Sequence, residues 1–281
     1  MINSDAMPIF FHSHKPVEVY LFTDPLCHDC RIMDPFLIRL IHEYGHYFTV
    51  RRVLTGKAAG TAHSANRLTN ARFVWEKTTS LYAFSCNGKT DMHRGDTSPY
   101  MPSLAIKAAE MQGRKAGLRF LRKLQERLFL REGTPDFNTM LACAEDSGID
   151  VAEFAEDLHA DRVRKAFQCD LKFANEMQIT EVPSLVFLHT NAHEDGIKVS
   201  GLYTYDIYVQ VLQEIINEQL VPQALPPMED LIGEYEFLST KELAIIYDLS
   251  LAQTECELKK LILKRIVRQI PTERGIYWKH V

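Results

Sequence analysis

Long apolar runs are missing from this chain. No stretch approaches the roughly 18–20 consecutive apolar residues needed to cross a bilayer, so no membrane-spanning helix and no membrane partner are expected. A basic excess is missing as well. Lysine and arginine number 32 against 37 aspartates and glutamates, a formal net charge of −5. General nucleic-acid binders carry the opposite balance. Cysteine is scarce: six in 281 residues, with only Cys27 and Cys30 close together. A disulfide scaffold packs more cysteines into a shorter chain. The first dozen residues hold Asp5 and only a short apolar run, with no basic stretch ahead of it, so no export signal is expected. These absences point to a reducing, cytoplasmic setting. There a lone close cysteine pair is redox-active, metal-binding or vestigial rather than a permanent staple.

What remains is ordinary for a globular protein: 46% apolar and 25% charged residues. The length suits one large domain or two of common size. It is enough to bury a core without metal or disulfide support.

The segment from Val17 to Phe22 alternates and is rich in strand formers. Apolar residues at Met33, Leu37, Leu40 and Ile41 then follow helical spacing. Residues 47–54 read as a second strand, so strand, helix and strand form a parallel βαβ unit. Residues from about 60 to 100 carry no pattern that orders them. Residues 102–177 read as helical throughout. Leu118, Leu121, Leu124 and Leu128 lie on one stripe, Asp150 with Glu153 forms a capping box, and Phe154, Leu158, Phe167 and Leu171 continue the period. This block reads as a helical insertion. Strand signals return at 181–188 and 197–202, and a helix at about 205–220.

Residues 221–228 carry three prolines and mark a linker. The expected division is therefore 1–220, a linker at 221–228, and a small domain at 229–281. In the last part Ser239 with Glu242, and Ser250 with Gln253, open two helices. A β-hairpin follows, with its turn at 271–275. Helix, turn, helix, hairpin reads as a winged-helix-like domain.

The chemistry-bearing motif is Cys27-His28-Asp29-Cys30, placed after a strand and at the start of a helix. Unsatisfied N–H groups and the helix dipole stabilise negative charge there. They raise the thiolate fraction of the first cysteine. Cys30, one turn on, is the expected resolving partner.

The strand at 17–22, the CxxC, the inserted helices and the stretch Ile179-Thr-Glu-Val182-Pro183-Ser-Leu-Val-Phe187 together resemble the DsbA family of thioredoxin folds. The stretch from Phe22 to Cys30, followed by Arg51-Arg-Val-Leu-Thr-Gly56, resembles more narrowly the ClpXP adapter family known as YjbH or SpxH. That resemblance covers nearly the whole chain. It implies an α/β, DsbA-like thioredoxin fold, a cytoplasmic location and a protein-binding role. Members of that family carry the stress regulator Spx to the ClpXP protease. It also implies a cis Val182–Pro183 bond facing the CxxC across a groove, with Val182 and Pro183 as binding residues.

Cys27 and Cys30 are thus candidate redox residues, or an inherited motif dispensable to a binding function. DsbA itself has Pro-His between its cysteines. Here Asp29 stands last and opposes a thiolate by like charge, so a weaker oxidant is expected. No cofactor is expected. Zinc is the alternative, with Cys27, Cys30, His12, His14 and His28 as weak ligands, but structural zinc wants four. His42 and His46, one helical turn apart, are a further pair for a metal or for solvent. Cys86, Cys143, Cys169 and Cys256 stand alone and read as packing residues.

The C-terminal charges divide unevenly. Residues 228–256 hold one base and seven acids, while residues 257–281 hold seven bases and two acids. Glu255 and Glu257 lie in the half of the helix that would enter a major groove, where they repel phosphate. Protein docking is expected rather than DNA readout.

The leading expectation is an adapter that binds an Spx-type regulator and promotes its degradation by ClpXP, contacting the protease directly or indirectly, with no chemical step. The alternative is a cytosolic thiol–disulfide oxidoreductase. A third reading is a redox or metal sensor that gates adapter binding.

Overall fold

The computed structural model describes residues 15–56, 100–130, 134–191, 196–272 and 275–281. His12, His14 and Cys86 lie outside the described residues, as does most of the unpatterned 60–100 stretch.

A four-stranded sheet in the order β2-β1-β3-β4 forms the centre, built from β1 (Val17–Thr23), β2 (Phe48–Leu54), β3 (Ser184–His189) and β4 (Ile197–Ser200). β1 and β2 pair in parallel, as the βαβ reading requires, while β3 runs antiparallel to both β1 and β4. Alternation decides the two faces. Val17, Val19 and Leu21 pack with Leu185 and Phe187 against helix α1 (His28–Tyr44) and helix α7 (Tyr205–Ile216). Tyr20 and Phe22 face the opposite side, where Phe173 and Ala174 cover them.

The helical block contains α2 (Met101–Met111), α3 (Arg114–Leu130), α4 (Phe137–Asp146), α5 (Val151–His159) and α6 (Asp161–Glu176). It has its own core, in which Phe120, Leu124, Met140, Cys143 and Phe154 are fully buried. The Asp150 carboxylate accepts the Glu153 N–H at 2.9 Å and caps α5. Of the expected α3 stripe, Leu121, Leu124 and Leu128 are buried, but Leu118 is 37% exposed. Periodicity correctly gives the face, yet Leu118 itself stays at the surface while Ala116 before it is buried. Lys107 ties the block to the sheet. Its Nζ meets the Asp170 carboxylate at 2.7 Å, and that carboxylate also accepts the Leu54 N–H.

The Pro-rich segment does not hang free. Gln223 N–H donates to the Glu43 carbonyl at 2.7 Å, and Tyr247 Oη donates to the Pro226 carbonyl at 2.7 Å. It also ends one residue earlier than expected. Met228 is the first, buried residue of helix α8 (Met228–Tyr235), which the sequence reading did not contain.

Beyond α8 come β5 (Leu238–Ser239), α9 (Thr240–Tyr247), α10 (Leu251–Leu263), β6 (Val267–Thr272) and β7 (Gly275–His280). The three strands make a sheet in the order β5-β7-β6. Of the three expected capping boxes, those at Ser239/Glu242 and Ser250/Gln253 are complete, while at Asp150 the structure shows the forward bond alone. β6 continues through Pro271 to Thr272, further than expected. β6 is an edge strand, where the missing proline N–H is tolerated. Ile38 of α1 belongs to the same apolar cluster as Leu231, Leu243, Leu258 and Trp278, so this unit is packed onto α1.

Candidate functional site

β1 leads into the turn Asp24-Pro25-Leu26, and α1 begins directly after it. The Asp24 carbonyl accepts the Cys27 N–H at 3.1 Å, and its carboxylate accepts the Leu26 N–H at 2.9 Å. Asp24 is buried, and burial pushes its carboxyl up from the ordinary value, with the Leu26 hydrogen bond opposing. Cys27 is the N-cap of α1. Its sulfur accepts the Cys30 N–H at 3.2 Å, the role that serine or aspartate usually fills. The Cys27 thiol also donates to the Val182 carbonyl at 3.7 Å, and Val182–Pro183 is cis. The fold therefore brings Cys27, Cys30, Val182 and Pro183 together across 155 positions of sequence.

Cys27 is 0% and Cys30 3% exposed, within an apolar cluster of Phe22, Val53, Ala174, Ile179, Val182 and Val186. Burial, followed by the neighbouring Cys27 sulfur, holds the Cys30 thiol well above the ordinary range. The Cys27 sulfur is thus itself the cap at a helix N-terminus. Both cysteines are almost fully covered in this arrangement, so exchange with a partner's disulfide requires the cover to move. His28 and Asp29 face one another at 3.7 Å.

Among the described residues, no group of three or more His, Cys, Asp and Glu side chains is placed to hold a metal ion. His42 lies 3.8 Å from Glu234, and the His46 ring packs at a tilt against Tyr47, with centroids 4.0 Å apart. These two histidines thus serve the contact with α8 and the end of α1.

Sequence reasoning missed a second cluster next to the dithiol. Arg31 directly follows Cys30, and its Nη2 lies 2.8 Å from Glu242 Oε1. The other Glu242 oxygen accepts the Ser239 N–H at 2.8 Å, so one carboxylate both caps α9 and binds α1. Asp34 takes Arg31 at 3.8 Å and Arg52 at 3.1 Å. Arg122 of α3 completes the junction, stacked over Tyr235 of α8 at 4.6 Å. Burial lowers Arg122 from the ordinary arginine value, with Asp34 opposing and Arg31 adding to the effect. The only sequence signal was a capping-box glutamate, which reads as a local feature.

Among the described residues no helix is long and apolar enough to cross a membrane. Glu255 and Glu257 are exposed on α10, and Glu257 pairs with Lys260 at 2.6 Å.

A CxxC helix and a cis-proline strand separated by inserted helices define a DsbA-like member of the thioredoxin class, and a thioredoxin family model matches residues 20–210. The fold is similar to the cytosolic disulfide reductase DsbM from Pseudomonas aeruginosa, with a TM-score of 0.51 and 15% identity over 72% of this chain and 100% of that one. That likeness carries the fold alone. A ClpXP adapter protein SpxH of Bacillus cereus is 55% identical over 272 residues, 95% of this chain and 92% of that protein. SpxH of Bacillus subtilis is 39% identical over 271 residues, 95% of this chain and 90% of that protein. The chain belongs to the SpxH family.

Proposed function

We propose that this protein is a cytoplasmic ClpXP adapter, which binds an Spx-type regulator and promotes its degradation by binding rather than by chemistry. One observation carries this reading. The likeness to an adapter at 55% identity spans 95% of the chain, whereas the thioredoxin family model ends at residue 210. The C-terminal unit is thus part of what is shared with adapters. Tethering a substrate beside an unfoldase raises its effective concentration without any new catalytic group. The buried sulfurs of Cys27 and Cys30 agree with a motif kept for packing. In this reading residues 1–220 are the DsbA-like unit and residues 229–281 a winged-helix-like unit used for protein docking, not for DNA. The groove beside Val182 and Pro183 is one docking surface. Contact with ClpXP is direct or through the bound regulator, and no cofactor is needed.

The N-cap geometry of Cys27 favours one other reading, a thiol–disulfide oxidoreductase with Cys27 attacking and Cys30 resolving. Affinity for an Spx-type regulator separates the two. We expect equal affinity for the reduced protein, the oxidised protein and a Cys27→Ala/Cys30→Ala variant. Lost binding in the variant overturns the dispensable-dithiol reading. A difference between oxidised and reduced protein would identify a redox sensor.

A further inference from the structure

A cavity of about 310 Å³ lies where α3 faces α8 and the α8–β5 connection. Leu118, Tyr235 and Phe237 supply its apolar wall. This explains why Leu118, on a stripe that otherwise enters the core, is 37% exposed.

The charges around the cavity do not balance. Its acids are already engaged: Lys123 holds Glu236 at 3.1 Å and Glu126 at 3.9 Å, and Glu234 faces His42 at 3.8 Å. Arg31 is committed to Glu242. Among the described residues three cations have no partner carboxylate: Arg119, which donates to the Ser147 carbonyl at 3.0 Å, Arg122 and Lys115. Arg122 stacks on Tyr235, and among the described residues neither it nor Lys115 makes a hydrogen bond or ion pair. Asp34 and Glu242 act on Arg122 from the junction without touching it, so this partly buried guanidinium, which cannot lose its proton, has no carboxylate in direct contact among the described residues. A planar guanidinium fork also matches a carboxylate in two-point fashion. An apolar wall beside an unpaired fork therefore fits a carboxylate next to an apolar group.

We propose that this cavity receives a short acidic segment of the delivered protein, with a Glu or Asp carboxylate on Arg122 and an adjacent apolar side chain on Leu118, Tyr235 and Phe237. The source of the segment rests on the adapter reading; the pocket itself does not. The segment would touch α3 and α8 together, so it would bridge the helical insertion and the C-terminal unit. A thioredoxin fold without that unit lacks half the wall.

The test is a calorimetric titration of the full-length protein with the blocked peptide acetyl-Leu-Glu-Leu-Glu-amide. Acetyl-Leu-Lys-Leu-Lys-amide and inorganic phosphate serve as controls. The acidic peptide should bind saturably and compete with an Spx-type regulator, while the basic peptide should not bind. Arg122→Gln, checked for folding by circular dichroism, should weaken binding at least about tenfold. Lys115→Gln, at an exposed position, should weaken it about threefold through lost attraction alone. Absent binding by wild type, or equal affinity in both variants, overturns the pocket. Phosphate binding as tightly as the peptide makes it a plain anion site and overturns the peptide assignment. Binding without competition overturns the delivered protein as its source. Failure of the adapter reading shows elsewhere, in a degradation assay of the unaltered protein.

Discussion

Arg31 shows how one residue joins two units. It follows the CxxC in sequence, yet its guanidinium binds Glu242, 211 positions away, in a pair whose side chains are 10% and 1% exposed. Removing Glu242 leaves Arg31 buried with the more distant Asp34, at 3.8 Å, beside it. Glu242→Gln is expected to cost about 3–5 kcal/mol in urea unfolding, with a good part recovered when Arg31→Met is added. A loss below about 1 kcal/mol would be the value of a solvated surface pair and would remove the junction from the account. The cysteines separate by environment in the same way. Cys169 and Cys256 are exposed, whereas Cys27, Cys30 and Cys143 are buried. Burial holds the Cys30 thiol well up and pushes Cys143 up to about 12. Among the described cysteines, iodoacetamide at neutral pH should therefore label Cys169 and Cys256 first, with mass spectrometry reading the order. Early labelling of Cys30 would contradict its buried setting.

At the scale of elements, the caps are the most direct test. Ser239 and Ser250 each accept the N–H three residues on and receive the reciprocal bond from Glu242 and Gln253. Alanine at either position should cost about 1 kcal/mol, and more at the buried Ser239. Equal, near-zero losses by chemical denaturation would contradict the boxes. These caps were legible in the sequence because their physics is local, and so was the parallel pairing of β1 and β2 around α1. Helix α8 was not legible. It is short and directly follows prolines, so it passes for the end of the linker even though Glu229 and Asp230 in its first turn suit a helix start. The two-residue β5 exists only because Leu238 and Ser239 pair with Trp278 and Tyr277. No local signal announces such a strand. The CxxC was legible as a motif, whereas Val182–Pro183 opposite it followed only from the family resemblance. The Arg31, Asp34, Arg52, Arg122 and Glu242 junction was not legible, because each residue alone reads as an ordinary surface charge.

For the whole molecule, buried ionisable groups set the alkaline limit. Cys143 rises from 9.0 to about 12 and Tyr235 from 10.0 to about 12, each chiefly by burial. Folding therefore holds both protonated where the unfolded chain has released the proton. Their contribution is complete below about pH 9 and is lost as pH rises through 9 to 12. Urea midpoints should fall across that window, and a flat profile to pH 12 would contradict the burial assigned to these groups. The larger claim is that two units packed on α1 act as one binding body. Its most direct test is a reconstituted degradation assay with ClpXP, ATP and an Spx-type regulator. It compares no adapter, the unaltered protein, and Cys27→Ala/Cys30→Ala. The account predicts that both proteins accelerate degradation equally. No acceleration by the unaltered protein, together with turnover of model disulfides that vanishes in the double variant, would contradict it and leave a thiol–disulfide oxidoreductase in its place.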